Sequence, residues 1–439
     1  MSATESSLYE TLAIESNDKQ KTVDLTKGAV SIDYYEDIFS PTVTAKIRII
    51  NTGDSIEGKS GKLESIYNGL PLRGGERIRM KILDRGDEKK GLDFSTSPEK
   101  YLYVSSITDV ISQSQRESFT LNLVSREAIT NETARVFKKY EGTIDQSVSK
   151  ILKNILKTEK FEKNEIEKSQ NKYAFIGNSK KPFTTLIWLA SKAVPVSSGD
   201  ATAGFVFYQT KDGFKFRSID GLIKQESKAT YYFSEVNESQ VERNNDFKIL
   251  SYSTDKNQNI IEKLRLGAFS SERIFFDPLR GTITPPEKRK FQLKKYKERL
   301  ENLGAKGNIS LPKMSENSDE SLGDAPTRIL TDILSIGSLE NGVSTQTNAD
   351  PGEYQAQSIM RYNLLFTQTI SMMIPCNTNL TAGDVIECKF PKISSSETEF
   401  DTEVSGLYMI KELCHHFEPN NSYTSLKLIR DNFGISKRQ

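Results

Sequence analysis

Histidine is almost missing from this chain: the only two, His415 and His416, are adjacent, and they are accompanied by three cysteines, Cys376, Cys388 and Cys414, and one tryptophan. Two imidazoles leave little for general-base or metal chemistry, and a Ser-His-Asp arrangement would have to recruit one of them from a stretch that reads as a strand. The cysteines form neither a C-x-x-C pair nor an even disulfide framework, which predicts a reducing compartment or indifference to redox and argues against zinc modules of that type. Charge of one sign is lacking too. Lys plus Arg (60) and Asp plus Glu (59) leave a net charge of +1, so no overall field draws the chain to nucleic acid or to an anionic membrane. The longest apolar stretch, around TTLIWLASKAVPV, falls short of the roughly 20 residues of a spanning helix. The opening MSATESSLYETLAIESNDKQ has neither the basic start nor the apolar core of an export signal. The expectation is a soluble chain that binds no membrane and is not exported by a signal of its own.

Nucleotide and hydrolase signatures are absent as well. No G-x-x-x-x-G-K-[ST], G-x-G-x-x-G, H-E-x-x-H or G-x-S-x-G occurs, and RGGE at 73–76 lacks a following lysine and reads as a turn. Among the acidic residues no pair stands out by context for glycoside cleavage. The sequence therefore predicts no catalytic, cofactor-binding or metal-ligating residues.

What is present is β-pattern. At 439 residues the chain is too long for one core of ordinary size, and two to four domains are expected. In PTVTAKIRIINTG, Val43, Ala45, Ile47 and Ile49 alternate with Thr42, Thr44, Lys46 and Arg48, the two-residue period of a half-buried strand. GERIRMKILD repeats it with Ile78, Met80 and Ile82, and SFTLNLVSRE with Phe119, Leu121 and Leu123. Such strands separated by turns predict an antiparallel barrel or sandwich.

The period then changes. In TIDQSVSKILKNILK, Ile144, Val148, Ile151, Leu152 and Ile155 share a helical face, and Thr143 with Gln146 has the spacing of a capping box. KKPFTTLIWLASKAV predicts a second helix with Pro182 in its first turn and Phe183, Leu186, Ile187 and Ala190 inward. GFVFYQTKDGFKFRS reads as a β-hairpin around Asp212-Gly213. The basic run PPEKRKFQLKKYKERL, 285–300, predicts a helix, solvated or contacting a subunit rather than binding phosphate. SENSDESLGDA (315–325) and IGSLENGVSTQTNADPGEYQA (336–356) read as loops flanking a short helix, PTRILTDILS.

Self-comparison carries further. YEDIFSPTVT (35–44) lines up with YNLLFTQTIS (362–371), LRGGERIRMKI (72–82) with LTAGDVIECKF (380–390), YLYVSSI with GLYMIKEL, and SFTLNLVSRE (118–127) with SYTSLKLIRD (422–431). Any one block could arise by chance, because Gly before an acidic residue merely suits a turn into a strand. Four in the same order predict a duplicated β-domain with other material inserted between the copies. The first copy alone carries the excursion DSIEGKSGKLESIYNGLP.

The run NTNLTAGDVIECKFP with SGLYMIKELCHHFEPNNSYTSLKLIRDNFG, together with the N-terminal AVSIDYYEDIFSPTVTAKIRIINTGDSI, resembles the central baseplate hub proteins of contractile-tailed bacteriophages, whose relatives occur in type VI secretion spikes. The resemblance covers the two β regions well and the middle loosely, with KKPFTTLIWLASKA its best central match. It implies a mainly β chain with α insertions (α+β): two related antiparallel tail-tube-like β-barrels plus a helix-containing insert. The implied division is 1–135 for the first barrel, 136–357 for the insert with a hairpin at 204–218 available to the second barrel, and 358–439 for the second barrel and tail. It further implies a homotrimer that adapts the hexameric tail tube to the trimeric central spike. The baseplate wedge and tape-measure proteins are further possible partners, and DNA would only pass through the lumen. A tail-tube terminator or adaptor is an alternative within the class. From another class, NLTAGDVI has the Gly-Asp turn of peptidoglycan-binding LysM repeats, which would need a helix pair after it.

In this frame KELCHHFEPN (411–420) is a barrel strand. His415 and His416 then point to opposite faces, and only Cys414 and His416 share one. The first-copy equivalent, SSITDVI, matches Ile107 to Leu413 and sets Thr108, Asp109 and Val110 where Cys414 and the histidines stand, so the same strand forms without a ligand. Purified protein is expected to carry no stoichiometric zinc by elemental analysis; one zinc per chain would contradict the strand reading.

Overall fold

The computed structural model describes the chain apart from residues 1–6, 53–55, 58–60, 71, 85–86, 163, 197–201, 234–246, 279, 297–299, 306–310, 335–350, 393–399 and 436–439; at 84, 87–90, 256, 257 and 351–353 it describes the backbone alone. The first third forms strands Ser7–Glu15 (β1), Ala29–Asp37 (β2), Thr44–Asn51 (β3), Arg77–Asp84 (β4), Leu102–Ser112 (β5) and Glu117–Ser125 (β6). Their alternation runs as the sequence predicts: Val43, Ala45, Ile47, Ile49, Ile78, Met80, Ile82, Phe119, Leu121 and Leu123 are all buried. With Leu12, Ile14 and Ile32 they make one apolar core.

The middle brings helices Ile144–Asn154 (α1) and Pro182–Ala190 (α2), the hairpin Phe205–Thr210 (β7) and Gly213–Ser218 (β8), helix Ile219–Ile223 (α3), and strands Thr230–Tyr232 (β9), Ser251–Asn257 (β10) and Ser270–Asp277 (β11). Then follow Arg328–Ile333 (β12), helix Pro351–Leu364 (α4), and strands Gln368–Pro375 (β13), Val385–Lys389 (β14), Gly406–Glu418 (β15) and Asn421–Arg430 (β16). The long strands lie in one 14-stranded sheet in the order β10, β13, β16, β15, β2, β3, β6, β5, β4, β1, with β14 beside β15. No sheet closes on itself among the described residues. The two expected barrels are thus not shown as closed units: the strands of both repeats run in one open sheet, joined where β15 pairs with β2.

Several local expectations change. Thr143 occupies the N-cap of α1 without a side-chain cap; instead the Asp145 N–H donates to Ser169 Oγ at 3.1 Å, so the capping box does not form. In α2, Leu189 is buried and Ile187 is 46% exposed, since this nine-residue helix turns Ile187 away from the face carrying Phe183, Leu186 and Ala190. The described residues of the run at 285–300 form no α-helix. Phe291 and Leu293 are buried in a core with Leu330 and Met360, and that anchoring breaks the segment into a 3-10 turn (Pro286–Lys288), a short strand (Lys290–Gln292) and a second 3-10 turn. PTRILTDILS forms strand β12, parallel to β11, where Ile329, Thr331 and Ile333 follow the two-residue period. Of the loop read at 336–356, residues 336–350 lie outside the described residues and 351–356 open α4. The segment 315–325 contains no helix or strand beyond an isolated bridge at Ser321.

The hairpin forms with Lys211 and Asp212 as its turn, Thr210 facing Gly213. Its ladder stays a separate two-stranded sheet, so it adds no strand to the second repeat. It joins by packing: Phe205, Phe207, Phe214 and Phe216 enter the core of α1 and α2, while Val206 and Tyr208 enter a core with Ala382, Val385 and Met409.

A buried cation ties α4 to both sides of that joint. Arg361, fully buried, donates through Nε to Asp220 Oδ1 at 3.0 Å on α3 and through Nη1 to Asp431 Oδ2 at 3.1 Å just after β16. Although burial opposes charge at Asp220, the Arg361 guanidinium lowers its pKa, so the pair is ionic. Removing the cation strands two carboxylates in a low-dielectric interior. Arg361→Ala is expected to cost about 3–5 kcal/mol of unfolding free energy, read as a lower urea midpoint; an unchanged midpoint would show that the triad holds nothing together.

Candidate functional site

The repeat is visible in hydrogen bonds, not only in letters. In the first copy the Gly75 N–H donates to the Val104 carbonyl at 2.7 Å and the Val104 N–H to the Glu76 carbonyl at 2.9 Å. In the second the Gly383 N–H donates to Ile410 and the Ile410 N–H to Asp384, both at 2.8 Å. The acid of each turn accepts from the amide three residues earlier: Glu76 Oε1 from Arg73 at 2.8 Å, Asp384 Oδ2 from Thr381 at 2.7 Å. Gly75 and Gly383 sit at φ +92° and +90°, backbone that favours glycine, and a Cβ on Gly383 would strike the Tyr208 hydroxyl. Just beyond, each strand carries a one-residue bulge, at Ser105 in β5 and Lys411 in β15. These features equate Val104 with Ile410 and Ile107 with Leu413, as the letters do.

The other two blocks slip. Leu121 pairs with Ile107 and Leu426 with Leu413, so Leu121 corresponds to Leu426, one residue from the alignment of SFTLNLVSRE with SYTSLKLIRD. Ile47, opposite Leu121, then corresponds to Met372, opposite Leu426, a slip of two in the first block. The reason in the first block is that Tyr35 lies in strand β2 whereas Tyr362 lies in helix α4; Phe39 and Phe366 stack on one another at 5.7 Å. With this register the ladder β3, β6, β5, β4 recurs as β13, β16, β15, β14. β10 flanks β13 as β2 flanks β3, both antiparallel.

The site is the seam between the copies. β15 is long enough to serve two neighbours on one edge: Gly406–Met409 pair with β14, and Glu412–Phe417 with β2. KELCHHFEPN is therefore strand through Glu418, with its side chains divided between faces. His415 faces the core, buried, its Nδ1 2.9 Å from Thr424 Oγ1 and its ring stacked on Tyr34; burial holds its pKa down to about 3, and the ring is neutral. His416 faces out, half-buried, with Nδ1 bonded to Asp33 of β2 and Nε2 3.1 Å from Glu418. The Asp33 carboxylate raises the His416 pKa. Its two carboxylates lie on opposite edges of the ring, so they do not converge on one ion, and no three His, Cys, Asp or Glu side chains among the described residues do. Burial pushes the Cys414 thiol up to about 12; Cys376 and Cys388 are buried, one in each repeat's core.

Further contacts close the seam. Lys411, at the bulge, pairs with Asp37 at 2.6 Å, and Tyr9 Oη donates to the Phe417 carbonyl at 3.0 Å. Glu36, fully buried on β2, accepts from Tyr34 Oη (2.9 Å), from the Lys211 amide of the hairpin turn (2.6 Å) and from the Ala382 amide (2.9 Å). Burial raises its pKa to about 7. Sequence reasoning missed Asp33, Glu36, Asp37 and Lys411, because each acts on a partner hundreds of positions away and belongs to no motif.

No family model matches the chain. It is 25% identical over 309 residues, 67% of each chain, to the probable baseplate hub protein gp334 of Vibrio phage KVP40. Its fold is similar to that of the tail protein from Neisseria meningitidis MC58 (TM-score 0.50, 9% identity, 97% of both chains). It is also similar to the 43 kDa tail protein of prophage MuSo2 from Shewanella oneidensis (TM-score 0.52, 7% identity, 96% of this chain and 98% of that one). The architecture is that of phage tail proteins. The chain's sequence likeness to a baseplate hub protein supports a baseplate hub family, located in the tail baseplate of the virion. No helix among the described residues is long and apolar enough to cross a membrane.

The His416 ion pair has a defined pH signature. Its folded pKa lies above the ordinary 6.5, so its stabilisation is complete below that value and is lost as pH rises through the folded pKa. His416→Ala is expected to cost about 1 kcal/mol near pH 5.5 and progressively less toward pH 9. Denaturant unfolding of both proteins across this range checks it; a difference that grows with pH would sink the assignment.

Proposed function

We propose that this chain is the trimeric central hub of the baseplate, a structural protein that adapts a hexameric tail tube to a trimeric spike around a lumen through which DNA passes. The observation that supports it is the repeat built twice in one continuous sheet: each subunit contributes two near-equivalent tube-like units, side by side. Three subunits contribute six such units, which suits a sixfold partner, while the insert occurs once per chain and suits a threefold one. The assignment of 1–135 and 358–439 to these two units, and of 136–357 to the threefold insert, belongs to the same reading, with β9 and β10 lent by the insert to the second unit. Turn Gly383-Asp384 leads into strand β14 rather than a helix pair, which disfavours the LysM-like alternative. The chemistry at the seam favours a non-catalytic role: His415 is neutral and buried, and His416 is engaged on both ring nitrogens. A mixed polar outer face suits passage of DNA without retention, as tight phosphate contacts would hold it. Lys46 and Arg48 of β3 and Lys427 of β16 are exposed there, with Asp33 and Glu418 between them.

Mass photometry and class averages of the purified full-length protein test this reading. The expected result is a particle of three 49.5 kDa chains with a central hole; a monomer without a hole at high concentration would overturn it.

A further inference from the structure

Two strand edges end the repeats without a strand neighbour among the described residues. The far half of β5, from Ser106 to Ser112, pairs with β6 on one side, and no described strand pairs with its other side. Val110 and Ile111 there are 42% and 57% exposed. At the other end of the sheet, β10 pairs with β13 and is last in the strand order. Exposed edges with apolar side chains invite pairing with another chain, and proteins cover or blunt them.

The second repeat shows what covers such an edge. Glu412–Phe417 of β15, the counterpart of the far half of β5, pair with β2. The counterpart of β2 in the second repeat is β10. Within one chain six strands separate β10 from β5, so the β10 that could cover β5 belongs to another subunit. We propose that β5 of each subunit pairs antiparallel with β10 of the next copy of this chain, repeating between subunits the seam that β15 and β2 make within one. This inference rests on the ring reading above and deepens it by naming the joining edges and their register.

The register follows from the ladders. Counting from Leu121 and Leu426, Ser118 corresponds to Tyr423; Ile111 faces Ser118 and His416 faces Tyr423, so Ile111 stands at the place of His416. Likewise Asp33 faces Lys46 and Ser253 faces Ser371, while Lys46 and Ser371 correspond, so Ser253 stands at the place of Asp33. His416 pairs with Asp33 within the chain, which sets Ile111 opposite Ser253 between chains. One local difference distinguishes the edges. In β5 the residues Asp109 and Val110 together face Phe119, a bulge in which Asp109 takes φ +54°, and β15 has no counterpart to it. A bulge of this kind twists an edge and rejects flat, unspecific pairing partners. The contact is heterologous, edge to unlike edge, so it propagates around a ring rather than stopping at a dimer.

The test uses full-length protein carrying Cys414→Ser, with Ile111→Cys and Ser253→Cys placed singly and together; both positions are exposed. Facing residues of an antiparallel pair have Cβ atoms about 5 Å apart, within reach of a short thiol-to-thiol reagent. Co-expressed single variants are expected to give a covalent dimer on denaturing gels, the double variant a covalent trimer, and either single variant alone only monomer. If mass photometry shows the trimer but the co-expressed variants do not cross-link, the edge pairing falls while the hub reading stands. Cross-linking by Ile111→Cys alone would mean a like-to-like contact and would overturn the proposal. A monomeric protein would remove both readings.

Discussion

The pairing of β15 with β2 is the constraint on which the molecule depends. It joins strands nearly four hundred positions apart, so two repeats that would each present an open edge share one sheet. Its hydrogen bonds are backbone to backbone and indifferent to sequence, and its selectivity comes from side chains at the seam. Leu413, His415 and Phe417 enter the core beside Ile32 and Tyr34, while outside Asp37 meets Lys411 and Asp33 meets His416. A one-residue slip would turn every one of these to the wrong face.

The remaining parts are keyed to that seam by buried polar groups. Glu36 receives an amide from the hairpin turn and another from the Gly383 turn, so a single carboxylate registers the insert against both repeats. Arg361 does the same from the other direction, linking α4 with α3 and with the end of β16. Apolar packing alone, as between Tyr208 and Ala382, would tolerate sliding; groups that must be paired when buried do not. The hairpin thus acts as a wedge with an apolar side for each neighbour and a polar tip that sets its position.

On the hub reading proposed above, near-equivalent ladders with unequal surroundings would let one chain serve partners of different symmetry. The repeats share their turn, their bulge and their strand order, yet β4 is continued by β1, antiparallel, and β14 by β9, parallel. The first repeat keeps its long excursion between β3 and β4, and the second borrows strands from the insert. Equivalence is preserved where strands meet side by side and abandoned where the unit faces something else.

Much of this was legible in the sequence, and the limits are physical. Strands with one wet and one buried face announce themselves by alternation, as β3, β4 and β6 do, and the hairpin by its aromatics. The duplication was legible because the glycine and the acid of each turn meet the same backbone demand. β10 and β9 were not, for their partners lie more than a hundred residues away and SYSTDKN carries no apolar stripe. β12 reads as a helix until β11 is beside it, and the start of α4 as a loop until Arg361 and Met360 find their burial. The fourth repeat block slipped by one because identities count letters whereas a sheet counts faces. By itself the sequence determined the local period of each strong element, the poverty of catalytic side chains and the existence of two copies, since all three are written in neighbouring residues. Only the tertiary structure decided that the copies share one open sheet and that a histidine pair is half core and half seam, because those outcomes depend on which distant edge is available to pair.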